Sequence, residues 1–249
     1  MSDRTRRALD AARAAGIEVV PITARQPRSL GPIALAAGFD AWALCGNGAH
    51  GLHLGTKETL FEVHVTVEAQ TRLAEALSAR LPGALFVSVR DGGEVFVAQA
   101  GYADLAHFED HKRHPHEMGA HPLAGVTAEP SLKLIVRHAE LDPRALLAEV
   151  RALGLSGFAA THSGAAFLEV LAEGVSKAWG TARLCEHLGL ESREVLAFGD
   201  AANDAELLAW AGCGVALANA EPEARAAADE RAPSNDEDGV AVVIEALLG

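Results

Sequence analysis

At 249 residues the chain can bury one large core or two smaller ones. Apolar residues make up 49%, which excludes general disorder, and the net charge of −13 excludes the basic face that a nucleic-acid scaffold needs. No apolar run reaches the roughly 20 residues of a membrane span, the N-terminus lacks the apolar core of a signal peptide, and Cys45, Cys185 and Cys213 lack metal-site spacing, so a cytoplasmic protein with reduced thiols is expected.

Ser2 to Ala15 reads as a helix, with Ser2 as its cap, Ala8, Leu9, Ala12 and Ala15 on one stripe, and Gly16 as its stop. A short strand at Ile17–Ile22, a helix at 28–37 and a strand at 39–44 follow, the last stopped by Gly46-Asn-Gly48. This alternation signals an α/β sheet. Between about Gly51 and Val170 the texture changes. Strands are expected at 60–65, 84–89, 94–98, 132–137 and 167–170, with helices at 67–80 and 142–153. After Gly174 the strict alternation returns: helix 176–188, strand 194–198, helix 203–211, strand 214–217, and helices 220–227 and 238–248. The simplest organisation is a split α/β core, residues 1–64 and 172–249, with an α+β module inserted at 65–171. His107, His111, His114, His116 and His121 fall in that module without a carboxylate or thiolate spacing that completes a metal set, so a solvated, mobile loop is expected there.

The stretch Glu194-Val-Leu-Ala-Phe-Gly-Asp-Ala-Ala-Asn-Asp204 carries the most chemistry. A strand runs into Gly199, and Asp200 follows at its carboxyl end, where ligands sit in open parallel sheets. Asn203 and Asp204 open the next helix, whose N–H groups can meet an anion. Asp200 and Asp204, four residues apart, can serve a hard cation such as Mg²⁺. The plainer reading is a strand, a loop and an Asn/Asp helix cap.

Four stretches line up in order: Pro21-Ile-Thr-Ala-Arg25, Gly46-Asn-Gly-Ala49, Gly174-Val-Ser-Lys177 and Gly199-Asp-Ala-Ala-Asn-Asp204. In this order they closely resemble the haloacid dehalogenase superfamily, in particular its Cof-type (subfamily IIB) phosphatases. The tail Ser234-Asn-Asp-Glu-Asp-Gly-Val240 resembles that family's C-terminal signature. The resemblance implies a Rossmann-like, doubly wound parallel core with an inserted α+β cap. It also implies Mg²⁺-dependent hydrolysis of a small phosphorylated metabolite, such as a sugar phosphate, with the cap closing over the site. Thr23 would hydrogen-bond a phosphoryl oxygen, with Ala24, Arg25 and Asn47 beside it in the phosphate-binding set. Lys177 would neutralise the phosphoryl group and the nucleophile. Asp200 would bind Mg²⁺, Asp204 would support the metal's water shell, and Asn203 would orient Lys177 or the phosphate. Phosphoryl transfer is mostly positioning and charge neutralisation, which suits these residue types. Alone, Thr23 could cap a turn and Lys177 could be a solvated helix position.

The family's first, central strand ends in Asp-x-Asp-Gly-Thr, whose first Asp forms an aspartyl-phosphate and whose second is the general acid and base. Such a segment is missing before Ser2, and Asp236-Glu-Asp-Gly239 follows no buried strand. Without that strand, Ile17–Ile22 and Glu194–Phe198 would stand about 9.5 Å apart or pair directly. Met1 is therefore expected to be an internal start with roughly 20 residues before it, and the 249-residue chain is expected to turn over weakly or not at all. The alternative is an inactive remnant or phospho-ligand binding protein. A nucleotide-binding oxidoreductase is a distant third, because no Gly-x-Gly-x-x-Gly follows a strand. Neither the substrate nor the oligomeric state follows from these residues.

Overall fold

The computed structural model describes residues 1–249. The chain opens with α1 (Asp3–Ala14), α2 (Pro27–Ala37), β1 (Trp42–Cys45), β2 (His50–His53) and β3 (Thr59–Glu62). It continues through α3 (Val67–Arg80), β4 (Leu85–Arg90), β5 (Val95–Ala98), the short helices α4 (Tyr102–Leu105), α5 (Phe108–His111) and α6 (Leu123–Val126), and β6 (Lys133–Arg137). Next come α7 (Pro143–Ala152), β7 (Phe158–Thr161), β8 (Leu168–Ala172), α8 (Lys177–Leu188) and β9 (Leu196–Gly199). The chain closes with α9 (Ala205–Trp210), β10 (Cys213–Leu217), α10 (Pro222–Ala227), β11 (Glu230–Ala232) and α11 (Gly239–Leu248). Two units form: residues Met1–Arg25, Leu30–Phe61 and Ser176–Gly249 in one, Gln26–Ser29 and Glu62–Val175 in the other.

In the first unit, Ser2 caps α1 by accepting from the Thr5 N–H, and Gly16 leaves the helix at φ +80°. The stripe Ala8, Leu9 and Ala12 is buried with Ala37, Ala241 and Ile244, so α1 packs on α11. Strands β9, β10 and β11 form a parallel sheet in the order β11-β10-β9, and β1, β2 and β3 form a second sheet. Residues 17–22 were expected to be a strand, but only one bridge forms there, Ile22 to Leu44. It rests on Leu44 N–H donating to the Pro21 carbonyl at 2.9 Å and Thr23 N–H donating to the Leu44 carbonyl at 2.8 Å. Pro21 has no N–H to extend the ladder. On its other side the segment makes no ladder with β9. Side chains nonetheless close around both: Val19 and Phe198 share one apolar cluster, Ile22 and Ala197 another. A strand paired on one side only buries its residues incompletely, and Ile17 stays 39% exposed.

The second unit is an antiparallel five-stranded sheet, order β5-β4-β6-β8-β7. Period-two alternation sorts its faces. Phe86, Leu134, Val136, Leu168 and Val170 pack with Leu73 and Leu77 of α3 and Leu146 and Val150 of α7. Val87, Val89 and Ile135 point the other way, against Tyr102, Met118 and Phe167. That second face also carries charge. Lys133 of β6 is ion-paired with Glu169 of β8 at 2.5 Å, and Arg137 of β6 with Asp110 at 2.5 Å.

The histidine-rich stretch departs from the loop expected of it. Residues 102–117 fold as α4, α5 and a turn at 115–117, and His111 is driven onto the charged face. Its ring stacks on Phe167 at 4.7 Å and lies 4.9 Å from the Phe96 ring. His107, His114, His116 and His121 remain exposed, and no group of three metal-binding side chains forms. The reason is local: Tyr102 and Phe167 supply an apolar slot, and the Tyr102 hydroxyl meets His111 Nε2 at 2.8 Å. Burial pushes the Tyr102 hydroxyl up, so it stays protonated. Burial first, then the Lys133 cation, lowers the His111 pKa to about 3, against the opposing pull of Asp110 and Glu169.

This sets a pH dependence. The unfolded chain takes up the His111 proton near pH 6.5, the folded chain only near 3, so the contribution is whole above 6.5 and lost as pH falls toward 3. Urea unfolding should find the protein roughly 2 kcal/mol less stable at pH 5 than at pH 7.5 from this group alone. His111→Phe should flatten that slope; an unchanged slope in the variant would refute the assignment.

Candidate active site

Within the first unit, the loops that leave residues 17–22, β1 and β9 are bonded into one network with the start of α8. The carbonyl of Thr23 accepts from Asn47 N–H at 2.9 Å, and that of Arg25 from Gly46 N–H at 2.9 Å. The Thr23 hydroxyl oxygen accepts from Arg25 N–H at 3.1 Å, a local turn that leaves its proton to donate. Asn47 sits in the left-handed region at φ +58°, ψ +32°, between Gly46 and Gly48. Asparagine tolerates that region better than other residues with a side chain. Gly48, at φ +91°, lies so close to α8 that a Cβ would come within 2.3 Å of the Ser176 carbonyl oxygen. Ser176 caps α8, taking the Trp179 N–H at 3.3 Å, and Lys177 is the first helical residue.

Lys177 is only 7% exposed and Asp204 only 5%, and the two form an ion pair. The second oxygen of Asp204 accepts from Asp200 N–H at 3.0 Å and Ala201 N–H at 2.9 Å. Gly199 makes room for this, since a Cβ there would lie 2.5 Å from the Asp204 Cβ. Asp204, expected at the metal's water shell, thus meets Lys177 through one oxygen and two N–H groups through the other. Asn203 donates from Nδ2 to Asn47 Oδ1 at 2.7 Å, rather than to Lys177. That bond leaves Asn47 Nδ2 and Asn203 Oδ1 buried with no protein partner. Buried polar atoms of this kind ordinarily find a ligand or a water.

Asp200 projects from the carboxyl end of β9 and is exposed. Its Oδ2 accepts from Asn219 Nδ2 at 3.0 Å, its carbonyl accepts from Glu221 N–H at 2.8 Å, and Oδ1 has no protein donor. Glu221 in turn takes the Ala202 N–H at 2.7 Å. Asn219 and Glu221 escaped the sequence reading. Their signal was positional: they follow β10, the parallel neighbour of β9, so their loop leaves the sheet at the same end. Ala24 and Arg25 lie in the Thr23 turn, Arg25 exposed. Mg²⁺ is commonly held by one or two carboxylates completed by substrate phosphate. A hard carboxylate oxygen at Asp200 Oδ1, oriented through its neighbour Oδ2 by Asn219, fits that ion.

The sequence pattern of the haloacid dehalogenase-like hydrolases matches residues 1–244, and this chain belongs to that family. YxeH of Bacillus subtilis (strain 168) is 29% identical over 260 residues, spanning 100% of this chain and 92% of its own length. The 5-amino-6-(5-phospho-D-ribitylamino)uracil phosphatase YitU of the same bacterium is 38% identical over 74 residues, 30% of this chain and 27% of YitU. Among solved structures, BT1666 from Bacteroides thetaiotaomicron, studied among phosphatases of this superfamily, superposes with a TM-score of 0.81 at 23% identity. That match covers 99% of this chain and 87% of the other. The subclass IIB sugar phosphatase BT4131 gives a TM-score of 0.81 at 20% identity over 99% and 92%. At such identities the two structures establish a shared fold. In keeping with its α/β core, no helix is long and apolar enough to cross a membrane.

Proposed function

We propose that the chain is a Mg²⁺-dependent phosphatase of small phosphate monoesters, such as a sugar phosphate. The observation that carries this reading is the bonded network joining Thr23, Asn47, Lys177, Asn203, Asp204 and Asp200 within one unit. Thr23, with Ala24 and Arg25 in its turn, would present a hydroxyl to a phosphoryl oxygen. Asn47 Nδ2 would donate to a second, and the Asn203 carboxamide would brace it. Lys177, held by Asp204, would neutralise the phosphoryl charge where water is largely excluded and such charges count most. Asp200 Oδ1 would hold the cation, which when bound offsets charge on the migrating group. The inserted unit would serve as the cap, with residues 65–171 as its expected extent.

One observation favours a second reading, a phospho-ligand binding protein that performs no chemistry. Of the carboxylates gathered here besides Asp200, Asp204 and Glu221 already hold protein N–H groups, so neither is an obvious nucleophile. Assay of p-nitrophenyl phosphate separates the two. Hydrolysis should require Mg²⁺ and vanish in Asp200→Ala; metal-independent hydrolysis, or hydrolysis that survives this substitution unchanged, sinks the phosphatase reading. Saturable binding of inorganic phosphate without any hydrolysis selects the second.

A further inference from the structure

We propose that Asn219 is a positioning residue for Asp200, and that the tail turn at Ser234–Glu237 exists to hold Asn219 in place. This rests on the phosphatase reading above, in which Asp200 carries the cation. In the tail turn, the N–H of Asn235 donates to Asn219 Oδ1 at 3.0 Å. Asn219 then spends its Nδ2 on Asp200 Oδ2, also at 3.0 Å. The carboxamide is therefore clamped at both ends and its rotation fixed.

The turn that supplies the N–H is itself rigid. Ser234 N–H and Oγ both donate to Glu237, at 3.1 and 2.7 Å. Asp238, at φ +58°, ties the turn to α1 by accepting from Thr5 Oγ1 at 2.9 Å and from Ser2 Oγ. At the other end, the Asp200 backbone is pinned through its N–H by Asp204 and through its carbonyl by Glu221. With N–H, carbonyl and Oδ2 all committed, a single oxygen, Oδ1, is left to face a cation. Groups that orient a metal-binding carboxylate typically set affinity by about 10- to 100-fold without touching the ion. Asn219 is exposed, so its bond to Asp200 contributes little to global stability, and its value lies in aiming the carboxylate.

The test uses Mn²⁺ as the probe, read by electron paramagnetic resonance on the full chain in the presence of inorganic phosphate. Asp200→Asn should abolish saturable Mn²⁺ binding. Asn219→Leu, similar in volume but without the donor, should weaken it by about tenfold with the thermal unfolding midpoint unchanged. Asn235→Pro removes the N–H, together with an exposed 3.4 Å contact to Asp236, at the first position of a helical turn, where proline is tolerated. It should weaken binding in the same direction by a smaller factor, and it carries the test should Asn219→Leu misfold. Unaltered Mn²⁺ affinity in the folded variants, with Asp200→Asn inactive in binding, overturns the positioning role and leaves the phosphatase reading standing. Mn²⁺ binding indifferent to Asp200→Asn overturns both.

Discussion

Lys177→Met is expected to abolish phosphate binding and to cut any phosphatase turnover by about a thousandfold. The loss has two parts with the same sign. The first is the missing ammonium, which would face the phosphoryl group. The second is what remains. Asp204 keeps its charge, because Asp200 N–H and Ala201 N–H still donate to it. A buried carboxylate without its lysine then faces an incoming anion. At about 5 Å and an effective dielectric near 20, that repulsion is roughly 3 kcal/mol. Lys177→Arg, which retains the charge, should keep part of the binding. Removing one partner of a buried pair also costs about 3–5 kcal/mol of stability, with the lower end expected here because two N–H groups stay with Asp204. Lys177→Met/Asp204→Asn should therefore recover unfolding temperature but not phosphate binding. Calorimetric titration with inorganic phosphate and thermal unfolding of the same three variants check both halves; full phosphate affinity in Lys177→Met would remove the lysine from the site.

That division of labour was not legible in the sequence, although the residues were. Thr23, Asn47 and Asp200 each follow an apolar run that stops at a turn, and Lys177 follows a capping serine, so chain order alone put them at loop ends. Asp200 and Asp204, by contrast, look alike as letters. Only the approach permitted by Gly199, and the arrival of Lys177 from 27 residues away, commit one to protein donors and leave the other open. Helices with a clear stripe, such as α1 and α3, were legible because their signal is local. The strands missed, β2, β7 and β11, have four, four and three residues. They are strands because a neighbour pairs with them, as β2 does with β1 and β7 with β8. Ile17–Ile22 shows the converse: a good local strand pattern that forms one bridge because its other side meets no ladder. His111 was misread for the same reason. Its burial depends on Phe167, which joins it only when β8 enters the sheet.

Glu169→Leu is expected to destabilise the second unit by about 3–5 kcal/mol, the largest stability effect of any single side chain outside the site. Glu169 is fully buried in the middle of the sheet, opposite Ile135 of β6 and Thr161 of β7. It takes Lys133 Nζ at 2.5 Å and the Ser163 hydroxyl at 2.6 Å. Lys133 is 5% exposed, so deleting the carboxylate leaves an ammonium far from bulk water beside His111 and the Phe167 ring. The Phe167 face, 5.9 Å away, offers a fraction of what is lost. Asp110 stays paired with Arg137, so its charge does not compensate. Two apolar residues of similar volume often match a buried pair, so Lys133→Met/Glu169→Leu should regain most of the stability that Glu169→Leu gives up. Denaturant unfolding of the single and double variants decides this. A double variant no more stable than the single would mean that the pair stabilises the fold beyond the cost of its own burial, and that the charged face is held by its electrostatics rather than by the apolar layer around Tyr102 and Phe167.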